Sequence, residues 1–330
     1  MDSVLGMLDG PRARGAFLLR TVMSPPWSLR IQDEAPLTVV AMVAGGAHVL
    51  PDDAAPTTLG PGDVAILRGP DAYTIADDPR TAPQAVIHPG QRCTTVDGAE
   101  LLGISGLGVR TWGNDPAGSA VMLTGTYQLS HEVGRQLLAA LPPLAVLRRA
   151  DWDEPLVDLV AREISADRPG QEVVLDRLLD LLLVAGLRRW FDRRADEAPG
   201  WYRAAGDPVV GRAVRLMENN LAHPWTVASL ATTVGFSRAA LARRFTELVG
   251  QPPMAFLTQR RLELAADLLL EPGSTLGAVA RQTGYASPFA LSAAFRRVRG
   301  ETPQQHRDRA RRTGADAPAG IPPAVPLAAR

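Results

Sequence analysis

The chain has 330 residues, enough for two hydrophobic cores, because a domain usually contains about one to two hundred residues. With 46% hydrophobic residues and one cysteine, it has the composition of a globular protein and cannot form an internal disulfide or a cysteine-based metal cluster. The formal net charge is zero, but residues 207–312 contain 15 Arg and 8 acidic residues, whereas residues 1–206 contain 19 Arg and 26 acidic residues. This asymmetry indicates a polyanionic partner for the basic segment; a solvated surface with chance segregation of charge is the alternative.

No apolar run in the sequence is long enough to cross a membrane. The most apolar stretch, residues 178–187, is short, contains Asp180 and is followed closely by arginines. The first residues lack the basic start and the apolar core of a signal peptide. We therefore expect a cytoplasmic protein without a membrane segment.

Two patterns of hydrophobicity divide the N-terminal part of the chain. Residues 15–130 contain short apolar runs, such as 37–43 and 63–67, with Gly and Pro between them. Closely spaced short strands of this kind predict a sandwich or a barrel. From about residue 132 onward, apolar residues recur at intervals of three and four, which predicts amphipathic helices at 156–164 and 173–191.

Two segments without a regular pattern delimit the C-terminal part. Residues 192–206 are polar, contain Pro and Gly, and indicate a domain boundary. Residues 311–330 are rich in Ala and Pro and are predicted to be a disordered tail. Between these segments, residues 207–310 are predicted to be helical throughout.

An internal repeat lies in this helical part. Residues 230–245 and 279–295 each begin with an apolar residue and Ala, followed by Gly four residues later and then by an aromatic residue. Both copies end in Phe and are followed by Gly-x-x-Pro, at Gly250 and at Gly300. Two copies with matching flanks in a basic segment indicate one structural unit used twice. A helical bundle with repeat-like packing and no nucleic acid is the alternative.

The repeat contains the residues that a helix-turn-helix motif requires. Two helices that cross steeply need a small residue where they approach each other and a turn residue that tolerates positive φ. Ala231 and Ala280 suit the first role, and Gly235 and Gly284 suit the second. The predicted core of the first motif consists of Leu230, Val234, Phe236, Leu241, Phe245 and Leu248.

The second helix of each motif, called its recognition helix below, is predicted to present its outer face to DNA. In the first motif that face contains Ala239, Ala242, Arg243 and Thr246. Arg243 is the candidate base-reading residue, because a guanidinium matches the O6 and N7 acceptors of guanine. Arg238 and Arg244 flank the inward face and are predicted to contact phosphates. The predicted DNA-binding residues of this motif are Ser237, Arg238, Ala239, Ala242, Arg243 and Arg244.

The outer face of the second motif is poorer in hydrogen-bonding groups. The same helical periodicity places Leu291, Phe295 and Val298 inside. On the outside we expect a weak base contact from a serine, thymine-methyl contacts from two apolar residues and phosphate contacts from two arginines. The predicted DNA-binding residues of this motif are Ser287, Phe289, Ser292, Ala293, Arg296 and Arg297. The first motif is therefore expected to dominate base readout.

A long helix is predicted between the two copies, at residues 254–270. Helical residues over this length span roughly 25 Å, which suits two recognition helices set about one DNA turn, ~34 Å, apart. The sequence therefore predicts one chain that reads two successive major grooves.

Residues 207–310 resemble the DNA-binding domain of the AraC/XylS family. The resemblance is carried by residues 224–227 before the first motif, residues 254–261 on the linking helix, and Gly284 with Tyr285 in the second turn. It implies a sequence-specific transcription regulator whose partners are double-stranded DNA and RNA polymerase. Non-specific architectural binding to DNA is the alternative.

Two positions depart from the pattern of that family. Ala293 stands where the family often has Arg or Gln on the second recognition helix, and His306 stands where it usually has Tyr. The first departure bears on base readout by the second motif. The second departure bears on packing.

The N-terminal part resembles the cupin-like regulatory domain found in one branch of the same family, from Trp27 through Pro61-Gly62-Asp63 to the helices that end near Phe191. This resemblance implies a small β-barrel that senses a small-molecule effector, followed by helices that form a homodimer; packing within the domain is the alternative for those helices. The expected fold class is α+β and multidomain. A cupin-like β-barrel with trailing helices forms a regulatory and dimerisation domain at 1–195, and an all-α domain with two helix-turn-helix motifs lies at 207–310.

We expect neither a metal nor another cofactor in the N-terminal domain. Metal-binding cupins place several His and a Glu inside the barrel, but His48 has no His two residues further on, and residues 68–73 contain no later His. The chain is therefore not expected to be an enzyme; a cupin oxygenase or isomerase with a DNA-binding tail is the alternative. Trp27, His48 and Tyr73 are the candidate ligand-binding residues, with core packing as the alternative for Trp27, and Cys93 is expected to be an inert thiol.

Overall fold

The computed structural model describes residues 17–101, 106–108, 110–127, 137–151, 155–166, 168–195 and 197–315. These residues form two compact units, the N-terminal unit up to Glu197 and the C-terminal unit from Ala198. The division lies inside the polar segment 192–206. The domain limits 1–195 and 207–310 stay predictions. None of the helices in the described ranges combines the length and the hydropathy that a membrane span requires.

The N-terminal unit contains two sheets built from short strands. The larger sheet has the strand order β10-β11-β1-β12-β3-β6-β13, and the smaller has the order β5-β4-β7-β2-β8-β9. Most neighbouring strands are antiparallel; β1 with β11 and β2 with β8 are parallel. The strands are β1 (Phe17–Met23), β2 (Ser28–Ile31), β3 (Leu37–Ala44), β4 (Ala47–Pro51), β5 (Thr57–Leu59), β6 (Val64–Arg68), β7 (Tyr73–Ala76), β8 (Ala85–Ile87), β9 (Cys93–Thr94), β10 (Gly106–Gly108), β11 (Thr111–Gly113), β12 (Ala120–Tyr127) and β13 (Leu144–Leu147).

The two sheets share one hydrophobic core. Val40 and Met122 from the larger sheet pack with Leu29, Val49 and Ile75 from the smaller one. Alternating inward and outward side chains produce such a core wherever two sheets face each other. Between the described strands of the two sheets no ladder of hydrogen bonds is present. The sheets therefore agree with the wider expectation of a sandwich or barrel, whereas closure into a barrel stays a prediction.

Two helices follow the strands, as the spacing of apolar residues predicted: α1 (Leu156–Ile164) and α2 (Gln171–Arg193). The second helix packs on the larger sheet. Leu179 lies so close to Gly125 of β12 that a Cβ on residue 125 would be 2.6 Å from the Leu179 methyl groups. The Tyr127 hydroxyl donates to the Leu179 carbonyl oxygen at 2.8 Å. Another face of α2 is exposed and contains Val173, Val174 and Leu181.

The C-terminal unit is helical in all its described parts. Its helices are α3 (Gly200–Gly206), α4 (Val210–Asn219), α5 (Val227–Val234), α6 (Arg238–Val249), α7 (Pro253–Leu270), α8 (Leu276–Gln282), α9 (Pro288–Arg299) and α10 (Pro303–Ala315). Within the predicted boundary segment 192–206, residues 200–206 form α3, and Ala204 is buried in the core. One prediction was wrong at the other end: residues 311–315 continue α10 rather than begin a disordered tail, and the remainder, 316–330, lies outside the described residues.

The C-terminal unit has two hydrophobic cores, one for each motif. Leu230, Leu241 and Phe245 form the first, and Leu291 and Phe295 belong to the second. The long helix α7 connects them, since its first half contributes to one core and its second half to the other: Phe256 and Leu257 in the first, Leu262, Ala265, Ala266 and Leu269 in the second.

Candidate nucleic-acid interface

In the first helix-turn-helix motif, local hydrogen bonds and one glycine form the turn between α5 and α6. Helix α5 begins at a capping box, in which Thr226 Oγ1 accepts from the Ser229 backbone N–H at 3.0 Å and Ser229 Oγ accepts from the Thr226 N–H at 2.9 Å. It ends at Gly235 with a φ of 77°, a left-handed conformation that glycine adopts without a Cβ penalty. Helix α6 begins immediately afterwards, because the Ser237 hydroxyl accepts from the Ala240 N–H at 3.2 Å.

In the second helix-turn-helix motif, the turn between α8 and α9 has the same hydroxyl caps and a turn glycine. The Thr275 and Ser287 hydroxyls cap α8 and α9, accepting backbone N–H groups at 3.2 and 3.1 Å. Gly284 has a φ of 75°, and a Cβ there would lie 2.8 Å from Ala222 Cα. The small residues expected at the helix crossings, Ala231 and Ala280, are both buried. Both turn glycines thus have the positive φ expected of them, and both alanines are buried; the role of the alanines at the helix crossings stays a prediction.

The outer face of α6 is exposed as predicted. Leu241 and Phe245 point into the first core, while Ala239, Arg243 and Thr246 are exposed and Ala242 is half-buried. The Arg243 side chain is 78% exposed and is restrained by Glu247, whose Oε1 lies 3.8 Å from its Nε. Pairs of this kind on a helix surface contribute little, so the guanidinium is free to take another partner. Arg238 and Ser237 are exposed at the start of the same helix.

One residue assigned to the first core lies outside it. Phe236 is 41% exposed. It follows the left-handed Gly235, and its own N–H donates to the Ala231 carbonyl oxygen at 2.9 Å, so the backbone has already turned away from the α5 axis. The prediction assumed that an aromatic residue beside the turn is buried.

Arg244, predicted to contact phosphate, is engaged within the protein. Its Nε and Nη2 atoms donate to Asp207 Oδ2 at 2.9 and 2.5 Å. Asp207 also caps α4 by accepting the Val209 and Val210 N–H groups at 3.0 and 2.8 Å. Although burial acts to raise it, these hydrogen bonds hold the pKa of Asp207 below its ordinary value. Arg244 therefore connects α6 to the start of α4, a contact across 37 residues that no local pattern indicates.

The outer face of α9 differs in chemistry from that of α6. Leu291 and Phe295 are buried as predicted, and Phe289 at the start of the helix is 83% exposed. Ala293 is exposed beside it, and Ser292 is half-buried. The remaining residues of the predicted set are exposed arginines, Arg296 and Arg297, and the half-buried cap Ser287.

A second core assignment was wrong on α9. Val298 is 51% exposed. The inward positions of the helix are occupied by Leu291, Ala294 and Phe295, and Val298 lies in the last turn beyond this core. An apolar residue at the correct helical spacing remains exposed when no partner element extends as far as its turn.

Polar contacts that the sequence did not predict hold the long helix in place. Arg260 and Glu263 are both buried, and the Arg260 Nη1 donates to the Glu263 Oε2 at 2.5 Å. The Arg260 Nε lies 3.4 Å from the Oε1 of Glu218 in α4. Its neighbour Arg261 donates to the carbonyl oxygens of Leu221 and His223 at 2.7 and 2.8 Å. Removing one partner of a buried ion pair leaves an uncompensated charge, so these contacts fix the position of α7 relative to α4.

The His at the family's Tyr position has a packing role. His306 is buried, its ring lies edge-on to Phe295 at 5.5 Å, and its Nδ1 is 3.0 Å from Glu301 Oε1. Next to it, Arg307 donates to the Leu269 carbonyl oxygen at 2.9 Å. These contacts attach α10 to the second motif.

A cavity of about 140 Å³ lies between the two sheets of the N-terminal unit, and we call it the inter-sheet cavity. Tyr73 lines it, as predicted for a ligand-binding residue, but Trp27 and His48 do not. Trp27 is completely buried in the core, the alternative that the sequence left open. His48 belongs to the opposite face of β4, where its Nδ1 lies 3.1 Å from Thr58 Oγ1. Lining residues that the sequence did not predict include Asp33, Trp112, Thr124 and Thr126.

Cys93 also lines this cavity and is half-buried. Burial raises the pKa of its thiol, which favours the protonated form and agrees with an unreactive group. Among the described residues, no group of three or more His, Cys, Asp or Glu side chains is placed to hold a metal ion.

Comparison with known proteins assigns both units to families. The family model for Cupin matches residues 2–192, and the model for Helix-turn-helix domain matches residues 230–309. A protein described as an AraC-like transcription regulator of Streptomyces lividans is 30% identical over 93% of this chain and 98% of its own length. The transcriptional regulator AlkR of Acinetobacter baylyi is 25% identical over 93% of this chain and 99% of its own.

Among solved structures, the DNA-binding domain of AdpA in complex with a target DNA is 31% identical, with a TM-score of 0.32, over 34% of this chain and 99% of that one. The match to the Streptomyces protein extends over nearly the full length of both chains, across the sheets and the two helix-turn-helix motifs. The chain therefore belongs to the AraC-like DNA-binding transcription regulators, with an N-terminal cupin domain and a C-terminal helix-turn-helix domain.

Proposed function

We propose that the chain reads a specific DNA sequence with both motifs, α6 and α9 lying in successive major grooves of one duplex. The observation that carries this proposal is the outer face of α6, where Arg243 is 78% exposed above a fully buried inner face. A recognition helix needs this combination, because its inner face must hold it rigidly while its outer face meets the base edges.

In the first motif, Arg243 is the proposed base-reading residue. Its guanidinium lies 3.8 Å from Glu247 in a surface contact, which a guanine can replace with two hydrogen bonds. Ala239 and Ala242 are small enough to let the helix approach the groove closely. Ser237 and Arg238, at the exposed start of α6, are proposed to contact the backbone phosphates.

In the second motif, readout is proposed to rely on apolar contact. Phe289 and Ala293 are exposed on α9 and match the methyl group that distinguishes thymine in the major groove. Arg296 and Arg297 are proposed to contact phosphates, with Ser287 and Ser292 as secondary polar contacts. Most of the base specificity then comes from the first motif.

Helix α7 supports the proposal of successive grooves. Its 18 residues correspond to roughly 27 Å, and its two ends belong to the cores of the two motifs. The major groove returns to the same side of the duplex after about 34 Å. The long helix is thus of the right scale to hold both recognition helices against one face of the DNA.

The N-terminal unit is proposed to regulate DNA binding through a small-molecule effector in the inter-sheet cavity, within sheets that close into a cupin barrel. We also propose a homodimer formed through α1 and α2, because Val173, Val174 and Leu181 remain exposed on α2. We further propose RNA polymerase as a partner of the protein and the cytoplasm as its location.

We propose no enzymatic activity for the chain. A stoichiometric iron or manganese ion in the purified protein would favour the alternative of a cupin enzyme.

The test of this function is selection from a random DNA pool with the full-length protein. The expected result is an enriched site in two parts, separated by about one helical turn, with one part containing an essential guanine and the other containing thymines. Retention of DNA without enrichment would overturn the proposal and favour non-specific architectural binding.

A further inference from the structure

The inter-sheet cavity has an apolar body. Both sheets contribute aliphatic side chains to its walls, among them Leu29 and Ile75 from the smaller sheet and Val40 and Met122 from the larger one. Trp112 of β11 completes the apolar lining. Such walls favour a ligand whose surface is mainly hydrocarbon, because the transfer of apolar surface out of water drives binding.

One charged side chain lines this cavity among the described residues, and it is an acid. The Asp33 carboxylate accepts from the Ala35 N–H at 3.2 Å, and no cationic side chain of the described chain lies within ion-pair distance of it. Burial raises the pKa of Asp33, because the removal of water from around the carboxylate disfavours its charged form. A cation beside the carboxylate would remove this penalty.

A second cavity, of about 200 Å³, adjoins at this end and shares Asp33 and Tyr73 with the first. It is lined by three further acids, Asp52, Asp53 and Asp71, and by Arg68.

The charges of this second cavity are only partly compensated. Arg68 donates to the Leu141 carbonyl oxygen at 2.8 Å, and Asp52 is paired with Arg30 at 2.5 Å. The charge balance at the Asp33 end is therefore negative, which repels an anionic ligand.

The volume limits the size of the molecule. An apolar protein cavity of about 150 Å³ holds one benzene molecule. The inter-sheet cavity, at about 140 Å³, therefore accepts a single six-membered ring or a hydrocarbon of similar volume. The second cavity, of about 200 Å³, shares Asp33 and Tyr73 with it and offers the space for a small head group.

We propose that the inter-sheet cavity binds a small lipophilic amine, with its hydrocarbon part between the two sheets and its ammonium group on the Asp33 carboxylate. Binding of the amine can be measured without DNA and does not depend on the proposed function. The inference rests on the proposed function only where the amine is taken as the effector that changes DNA affinity. The hydroxyl groups of Thr124 and Thr126, on the same strand of the lining, offer further hydrogen-bond acceptors.

The test compares three probes of similar size on the full-length protein by titration calorimetry at neutral pH: benzylamine, benzyl alcohol and benzoate. Benzylamine is a cation at this pH, benzyl alcohol is neutral and benzoate is an anion. We expect benzylamine to bind roughly tenfold or more tightly than benzyl alcohol, because charge-assisted hydrogen bonds are the stronger ones, and we expect no binding of benzoate.

Two variants test which carboxylate causes the preference for the amine. Asp33→Asn keeps an acceptor for the Ala35 N–H and should reduce benzylamine affinity to that of benzyl alcohol, which should bind as before. Asp53→Asn removes an acid that lines only the second cavity and should retain most of the preference for the amine. If Asp33→Asn does not fold, the three-probe comparison on the unchanged protein still decides the proposal.

Three results would overturn the proposal: equal affinities for the amine and the alcohol, no binding of any probe, or full benzylamine affinity in Asp33→Asn. DNA affinity is measured separately, with and without benzylamine. A protein that binds its selected DNA but not benzylamine contradicts the amine site alone. A protein that binds benzylamine without any change in DNA affinity supports the amine site and contradicts effector control by this ligand.

Discussion

Arg244 and Asp207 join the first recognition helix to the N-terminus of another helix: two guanidinium nitrogens of Arg244 donate to one carboxylate oxygen of Asp207, at 2.9 and 2.5 Å. The adjacent residues Arg243 and Arg244 on α6 therefore have different roles. Arg243 is exposed on the proposed DNA face, whereas Arg244 is bound to the protein. The positional rigidity that DNA reading requires comes in part from such contacts.

Replacement of Arg244 should weaken the fold and leave the base preference unchanged. In Arg244→Ala, Asp207 retains its bonds to the Val209 and Val210 N–H groups but loses its cationic partner. We expect a lower midpoint of urea unfolding and the same preferred base at every position of the selected DNA site. A change of preference at a single base pair would show that Arg244 reads DNA, contrary to its position here.

The same pair predicts a loss of stability at acid pH. The pKa of Asp207 is lowered in the folded chain, so its contribution to stability is complete above its ordinary value of 3.8 and is lost as the pH falls below it. Urea unfolding of the wild type and of Asp207→Asn from neutral pH to about pH 3 tests this, because Asn cannot titrate. The stability difference between the two proteins should shrink in the acid range; a constant difference would contradict the assignment.

The two turn glycines should differ in their sensitivity to replacement. Both have positive φ, so Gly235→Ala should cost about 1 kcal/mol from backbone conformation alone, since a Cβ there would meet no atom within 4 Å. Gly284→Ala should cost more, because its Cβ would lie 2.8 Å from Ala222 Cα. Denaturant unfolding of both variants measures the two costs. Equal costs would contradict the close approach at the second turn.

DNA affinity should depend strongly on salt. Each phosphate contact that is lost should reduce the slope of log affinity against log salt concentration by about 0.9. Arg296→Ala and Arg238→Ala should each cause a reduction of this size without a change in base preference, as measured by fluorescence anisotropy. Arg281→Ala, an exposed arginine outside the proposed set, is the matched control. An unchanged slope in the two test variants would remove these residues from the phosphate contacts.

Local chemistry made the helix-turn-helix motifs predictable. Gly235 and Gly284 are required by turns that need positive φ, and Ala231 and Ala280 by the closeness of two helices, and both requirements act over a few residues. Val298 was misassigned because helical spacing gives the direction of a side chain but not how far its packing partner extends. Phe236 was misassigned because the backbone turns away from α5 at Gly235, just before it. Whether an apolar residue is buried depends on elements elsewhere in the chain.

Contacts between distant residues were not predictable from the pattern. The Arg244–Asp207 pair and the inter-sheet cavity depend on which strands and helices become neighbours. Strand alternation places Tyr73 on the inner face of β7 and His48 on the outer face of β4, but only the pairing of the strands assigns those faces to the cavity or to the surface.

Base reading by Arg243 is tested by a base-by-base binding series with wild type and Arg243→Ala. Each base pair of the selected DNA site is varied in turn, and affinities are measured by anisotropy at fixed salt. Arg243→Ala should cost about 1–3 kcal/mol on the unaltered site and should lose the preference for guanine at one base pair only. An unchanged series of preferences in Arg243→Ala would contradict this expectation, since the exposed face of α6 would then not read the bases.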